Sequence, residues 1–349
     1  MPTPLTAELL WSIPRVGAPT TGGGRVVVPV STADLDRNTT ESHLFEVFLD
    51  GREPRRLTTG PSSKPSLSPD GSRVAFLRAV DERPQVHVMA MDGGEPDVVT
   101  DLPLGAMAVR WFPNGDDVLV LALVYDDRLD LEATAAERDR RAERQHSARV
   151  SDRAIYRYWD RWLDGGEVPH VFRIDLRSRE VTDLTPTSAR WMRWDNTADP
   201  IADVDVSPDG TTLAWVADRS ERSDGELRFS LYLTDLISGE ERCLTPDHGG
   251  HVTRPRFSPD GSRLVVGRTE DPHFYADRTR LVELDPATGA ERDLTEGFDL
   301  SPTGWSFDDS ALVFEMESDA RQPVWRLGGD GSPVEIARDG TLTGLAVVA

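Results

Sequence analysis

A chain of 349 residues with a formal net charge of -22 argues against a nucleic-acid partner, because phosphate binding needs clustered cations and none gather outside one insertion; Lys64 is the only lysine, so nearly every cation is arginine. Hydrophobic content of 38% with 7% aromatic residues, 28 glycines and 25 prolines fits a turn-rich globular chain, not a helical bundle or a disordered tail. The single cysteine, Cys243, forms no internal disulfide, so packing alone must hold the fold. No leader-like N-terminus and no run of ~18 apolar residues is present, so no membrane partner is expected and a cytoplasmic location is the default.

Self-similarity organises the chain. Ser68-Pro69-Asp70-Gly71 is followed by a β-rich run, and the same words return at Ser207-Pro208-Asp209-Gly210 and Ser258-Pro259-Asp260-Gly261. Weaker copies stand at Phe112-Pro113-Asn114-Gly115 and Phe307-Asp308-Asp309-Ser310. Each is a tight turn between two strands: proline presets φ, Asp or Asn bonds its own backbone, and glycine takes φ > 0. A short strand ending in Leu-Thr closes most units, at Leu57-Thr58, Leu184-Thr185, Leu244-Thr245 and Leu294-Thr295, with Val99-Thr100 as a variant.

Four strands per unit, spaced about 40 to 50 residues apart, are the signature of a β-propeller blade. In chain order the blades fall at 18–58, 64–100, 106–185, 199–245, 252–295 and 300–338. The third is about twice the usual length and carries an insertion over 126–167, whose charged, Pro- and Gly-free stretch 126–153 reads as helical. The expected fold is therefore an all-β propeller of six complete four-stranded blades plus the start of a seventh from 341. Closure as a six-bladed ring, with residues 341–349 completing the sheet of blade one, is the alternative.

Chemistry is sparse. The nucleophile elbow of an α/β hydrolase, Gly-x-Ser-x-Gly, occurs nowhere, and Gly304-Trp305-Ser306 and Gly60-Pro61-Ser62 lack its second glycine. Of seven histidines only His248 and His251 are closely spaced, in a Gly-Gly loop that reads as an ordinary polar turn rather than a zinc site. Asp70, Asp209 and Asp260 are accounted for by turn chemistry, and Gly22-Gly23-Gly24 lacks the Lys-Ser/Thr of a phosphate loop. No metal and no cofactor is expected.

Two aromatic-arginine blocks interrupt the repeat. Arg157-Tyr158-Trp159-Asp160-Arg161-Trp162 follows the inserted helix, and Arg190-Trp191-Met192-Arg193-Trp194-Asp195-Asn196 lies in the next long loop. Large amphipathic rings flanked by Arg suit a recognition surface, and packing of the insertion on the rim is the equal alternative.

With these blocks, the opening Thr6-Ala7-Glu8-Leu9-Leu10-Trp11 and Phe274-Tyr275-Ala276-Asp277-Arg278, the whole chain resembles the propeller half of prolyl oligopeptidase family serine peptidases. Acylaminoacyl-peptidase-like and type-5 dipeptidyl-peptidase members are the most similar. The resemblance implies a helical lead-in over 1–17, a propeller over 18–349, and a C-terminal α/β-hydrolase domain, absent from this sequence, whose active site the propeller caps so that only peptides enter. It places Arg157, Tyr158, Trp159, Asp160 and Trp162 on the substrate-facing side; Tyr158 stands where relatives often carry His. Expected partners are thus the hydrolase domain and a peptide substrate, with homo-oligomerisation left open. A stand-alone protein-binding or scaffold propeller is the competing reading.

Overall fold

The computed structural model describes residues 4–151, 156–158, 161–163, 165–193, 200–220, 227–274, 276–328 and 331–348. Six antiparallel sheets follow one another along the chain, each built from consecutive strands. Blade one pairs Arg15–Val16 and Thr20–Gly22 with Arg25–Asp34, then adds Thr39–Val47 and Arg55–Arg56. Blade three is typical of the rest: Ala106–Trp111, Asp117–Tyr125, Glu167–Asp175 and Val181–Asp183 in spatial order. Only two α-helices are present among the described residues, α1 (Ala7–Ser12) and α2 (Leu131–Ala142).

The second strand of a blade is covered on both faces by neighbouring blades, so alternation gives way to continuous apolar runs. Val118 to Leu121 in blade three and Leu213 to Ala217 in blade four are buried throughout. Five apolar clusters fill the five junctions from blades one–two to five–six.

The repeated words of the sequence become repeated bonds. In blades two, four and five the Ser hydroxyl donates to the Asp carboxylate (Ser68–Asp70 2.6 Å, Ser207–Asp209 2.5 Å, Ser258–Asp260 2.6 Å) and accepts the N–H of Arg73, Thr212 or Arg263. Gly71, Gly210 and Gly261 hold φ of +68°, +75° and +72° there, a region that side chains resist. These bonds, the Ser hydroxyl first, draw the Asp70 and Asp260 carboxyls down to about 2 and also lower Asp209. The closing threonines act alike in five blades. Thr58, Thr100, Thr185, Thr245 and Thr295 each accept, through Oγ1, the N–H of Leu44, Val86, Val171, Leu231 or Leu281 on the third strand.

The structure departs from the sequence reading in two details. The inserted helix is shorter than 126–153: Asp130 caps it by accepting the Ala133 N–H at 2.7 Å, and it ends at Ala142. Residues 341–348 form no strand. They run between blades six and one, with Leu345 N–H on Glu315 Oε1 (2.5 Å), Thr21 Oγ1 on the Val347 carbonyl (2.5 Å) and Gln322 bridged in parallel to Thr341. Gly344 is required there, because a Cβ would lie 2.9 Å from Ala18 Cα at a φ of +78°.

Candidate functional site

Strands alternate in direction, so the Ser-Pro-Asp-Gly turns and the turns between third and fourth strands share one face of the ring. The long connections between second and third strands, Tyr125 to Glu167, Asp218 to Phe229 and Arg268 to Arg280, all leave from the opposite face, as does the link from Asp183 to Val204. One face is therefore trimmed to tight turns and the other is elaborated over blades three to five. Loops on a rigid scaffold are where recognition residues gather.

On the elaborated face, Arg157–Tyr158 and Arg161–Trp162 pair as a two-stranded hairpin. Leu163, buried in the cluster between blades two and three, anchors it, and the Leu163 N–H donates to the Tyr156 carbonyl at 2.9 Å. Tyr156 and Trp162 are both exposed and stack with ring centroids 6.1 Å apart. The guanidinium groups of Arg149 and Arg157 stand over the Trp162 ring at 5.3 and 5.4 Å. The hairpin thus presents an aromatic face edged with cations. Trp159 and Asp160 lie outside the described residues. So do Trp194, Asp195 and Asn196 of the second block. In that block Trp191 and Met192 are buried in the clusters of blades two–three and three–four, so for these two the packing alternative applies. Sequence reading left the two alternatives even because a long loop that tucks between two blades has the same composition as one that faces solvent.

The histidine loop is structural in its contacts. His248 Nε2 meets the Thr269 carbonyl at 2.7 Å, and His251 Nδ1 accepts the Phe229 N–H. Burial lowers the pKa of both rings. No grouping of three or more potential metal ligands occurs among the described residues.

The feature that sequence reading did not isolate is the throat of the ring. A cavity of about 670 Å³ is lined from all six blades, including Thr20, Ser66, Arg110, Ala202, Arg256 and Trp305. Ser66, Arg110, Asp205 and Arg256 hold one and the same place in four successive repeats, two residues before Ser68, Phe112, Ser207 and Ser258, and strand register puts Ser306 there in blade six. That offset was the available signal: two arginines and an aspartate at a strand position where the propeller needs no charge.

Blade four is clasped from both sides. Arg110 of blade three donates to Asp205 (3.1 Å) and to the carbonyls of Val204 and Ile201, and the Phe257 N–H of blade five reaches the other Asp205 oxygen at 2.8 Å. Fully buried Asp203 receives a two-pronged contact from Arg193 (2.9 and 3.2 Å) and the Arg254 N–H at 2.7 Å. Arg254 takes a φ of +51° at a bulge in Val252–Phe257, a left-handed position that the bond to Asp203 helps to hold. A larger hollow of about 1030 Å³ lies on the outer flank between blades five and six, away from the throat, and is lined by residues such as Arg292, Phe298 and Ile336.

The fold is thus a six-bladed propeller with one elaborated face and an arginine-bearing throat. No family model matches the chain. Curated relatives do. The chain is 28% identical over 291 residues to dipeptidyl-peptidase 5 of Porphyromonas endodontalis, covering 80% of this chain and 40% of that protein. It is 25% identical over 338 residues to dipeptidyl-peptidase 5 of Porphyromonas gingivalis, covering 93% of this chain and 48% of that one. The chain thus spans less than half the length of both. Among solved structures, uncomplexed acylaminoacyl peptidase from Pyrococcus horikoshii superposes with a TM-score of 0.69 at 15% identity, covering 94% of this chain and 46% of that chain, a likeness of fold. In sequence and in fold, the chain resembles the propeller half of prolyl oligopeptidase family serine peptidases.

Proposed function

We propose that this chain is the non-catalytic propeller half of a prolyl oligopeptidase family serine peptidase, capping an α/β-hydrolase domain and selecting which peptides reach it. The observation that carries the reading is sequence similarity over 80% and 93% of the chain to peptidases about twice as long. Two features of the molecule support it. The sequence has no Gly-x-Ser-x-Gly elbow, so hydrolysis requires another domain. The lead-in exposes Leu9, Leu10, Trp11 and Ile13 together on and beside α1, an apolar surface suited to a second domain.

In this reading the ring acts as a filter and the Arg157–Trp162 hairpin as a positioning surface on its elaborated face. Peptide carbonyls and chain termini would meet arginine donors and flat aromatic faces, which orient a short chain without reading much of its sequence. Arg157→Ala and Trp162→Ala in the full-length enzyme are expected to lower kcat/KM by about tenfold, the value of one good contact, with the melting temperature unchanged. Wild-type kinetics together with a fall of several degrees in melting temperature would make the hairpin a packing element and remove it from the site. The chain expressed alone should neither turn over dipeptidyl or acylaminoacyl chromogenic substrates nor be labelled by a serine-directed fluorophosphonate.

A further inference from the structure

The throat holds a cation, Arg256, that makes no direct ion pair among the described residues, although Asp205 and Asp203 stand near enough to favour its charge. Arg256 points its Nη1 at the carbonyls of Ala202 (2.9 Å), Val204 (3.5 Å) and Pro255 (2.5 Å). Its Nε and Nη2 meet no protein acceptor among the described residues, and no carboxylate there approaches within ion-pair distance. This happens in a chain with 61 acidic residues and only 39 basic ones, where the neighbouring Arg110 and Arg193 have found carboxylates and Arg254 an aromatic face. Burial in the throat, then the nearby Arg110 and Arg254, push the Arg256 guanidinium down to about 9 against the opposing pull of Asp205 and Asp203, which still leaves it charged at neutral pH. A desolvated cation with no carboxylate at ion-pair distance is costly to keep, and the edge left open on it can take an anion.

The surroundings narrow the ligand. Asp205 is committed to Arg110 and the Phe257 N–H, and Asp203 to Arg193 and the Arg254 N–H. Glu315, across the throat on blade six, is committed to the Leu345 N–H and the Gln322 amide, and burial raises its pKa. None of these carboxylates comes within ion-pair distance of Arg256, though Asp205 and Asp203 act on it through space. The uncommitted Nε–Nη2 edge of a guanidinium is the edge that takes two oxygens of a planar carboxylate side by side. The cavity of about 670 Å³ has room for a few residues of extended chain, and its wall beside the arginines is apolar, with Leu67, Trp111 and Trp305.

We propose that the throat is a carboxylate site in which Arg256, flanked by Arg110 and Arg254, receives the free C-terminal carboxylate of a short peptide. That the carboxylate belongs to a peptide rests on the peptidase reading; that the throat binds a carboxylate does not. The site lies on the ring axis and is distinct from the hairpin on the rim.

The test needs only this chain. Calorimetric titration at low ionic strength compares N-acetyl-tetra-alanine carrying a free C-terminus with the same peptide as its C-terminal amide. The acid should bind at least about tenfold more tightly, because only it fills the fork. Arg256→Gln should abolish the preference, and Arg256→Lys should keep only part of it, since an ammonium offers a point charge without the fork. Arg292→Gln, on an exposed arginine of blade five's outermost strand, should leave it intact, and near-ultraviolet circular dichroism should match across the variants. Arg110→Gln gives a second route to the same loss should Arg256→Gln fail to fold. Equal binding of acid and amide, or a preference that survives both throat variants, overturns the site. Inorganic phosphate that binds as tightly as the peptide acid, in an Arg256-dependent way, overturns the chain-end assignment. The peptidase reading fails separately, through unchanged kinetics of the hairpin variants in the full-length enzyme.

Discussion

Replacing Thr295 by Val tests whether the repeated Leu-Thr word is a hydrogen-bonding device or only a good strand ending. Thr295 is 1% exposed, and its Oγ1 accepts the N–H of Leu281, itself buried, at 2.9 Å. Valine keeps the shape and removes the acceptor, leaving a buried N–H unsatisfied at a cost of about 1–3 kcal/mol. The added methyl returns roughly 0.8 kcal/mol, so the net loss is about 0.2–2.2 kcal/mol, centred on roughly 1. With about 2.1 cal/mol/K of unfolding entropy per residue, a cooperative ring of this length should lose up to about 3 °C in melting temperature. Thr295→Ser keeps the oxygen and gives up only the methyl, so it should cost less than Thr295→Val. Because Thr58 makes the same bond to Leu44 in blade one, Thr58→Val should cost a similar amount and add to the first. Urea titration of the four variants decides the matter. A Thr295→Val protein as stable as wild type, or a serine variant weaker than the valine one, would refute the reasoning.

Two other predictions concern charge. Asp203→Asn should destabilise the ring by about 2–4 kcal/mol, since it breaks the buried contact with Arg193 and weakens the hold on Arg254, and adding Arg193→Met should restore part of that loss; equal urea midpoints for wild type and the single variant would contradict this. The turn carboxylates set an acid limit. Asp70 and Asp260 fall from 3.8 to about 2 on folding, so their stabilisation is fully present above the unfolded value and disappears as pH drops from about 4 toward 2. Asp70→Asn with Asp209→Asn and Asp260→Asn should flatten the fall of the urea midpoint across that window, and an unchanged slope would place the acid sensitivity elsewhere.

The blade rhythm was legible because its causes are local. A Ser-Pro-Asp-Gly turn closes through bonds between residues two to five apart, and the closing threonine reaches a strand fourteen residues back in every blade where it occurs. Such contacts leave words in the sequence. The inserted helix was visible in composition, and its true start at Leu131 follows from the Asp130 cap. The hairpin block was visible as a cluster of aromatics and arginines.

Other features depended on the ring itself. Trp191 and Met192 belong to the core only because two blades close over their loop, and nothing within that loop says so. The run from 341 onward reads like a strand by its apolar residues, yet Glu315 and Thr21 take its polar backbone atoms, and it lies between blades six and one without entering a sheet. Arg110, Asp205 and Arg256 are far apart along the chain and meet because blades three, four and five stand side by side around one axis. The sequence by itself determined the turns, the strands and their number per blade, since these are settled by short-range bonding and side-chain size. Tertiary structure alone decided which charges share the throat and which of them makes no direct ion pair among the described residues, because charge pairing acts through space between residues that only ring closure makes neighbours.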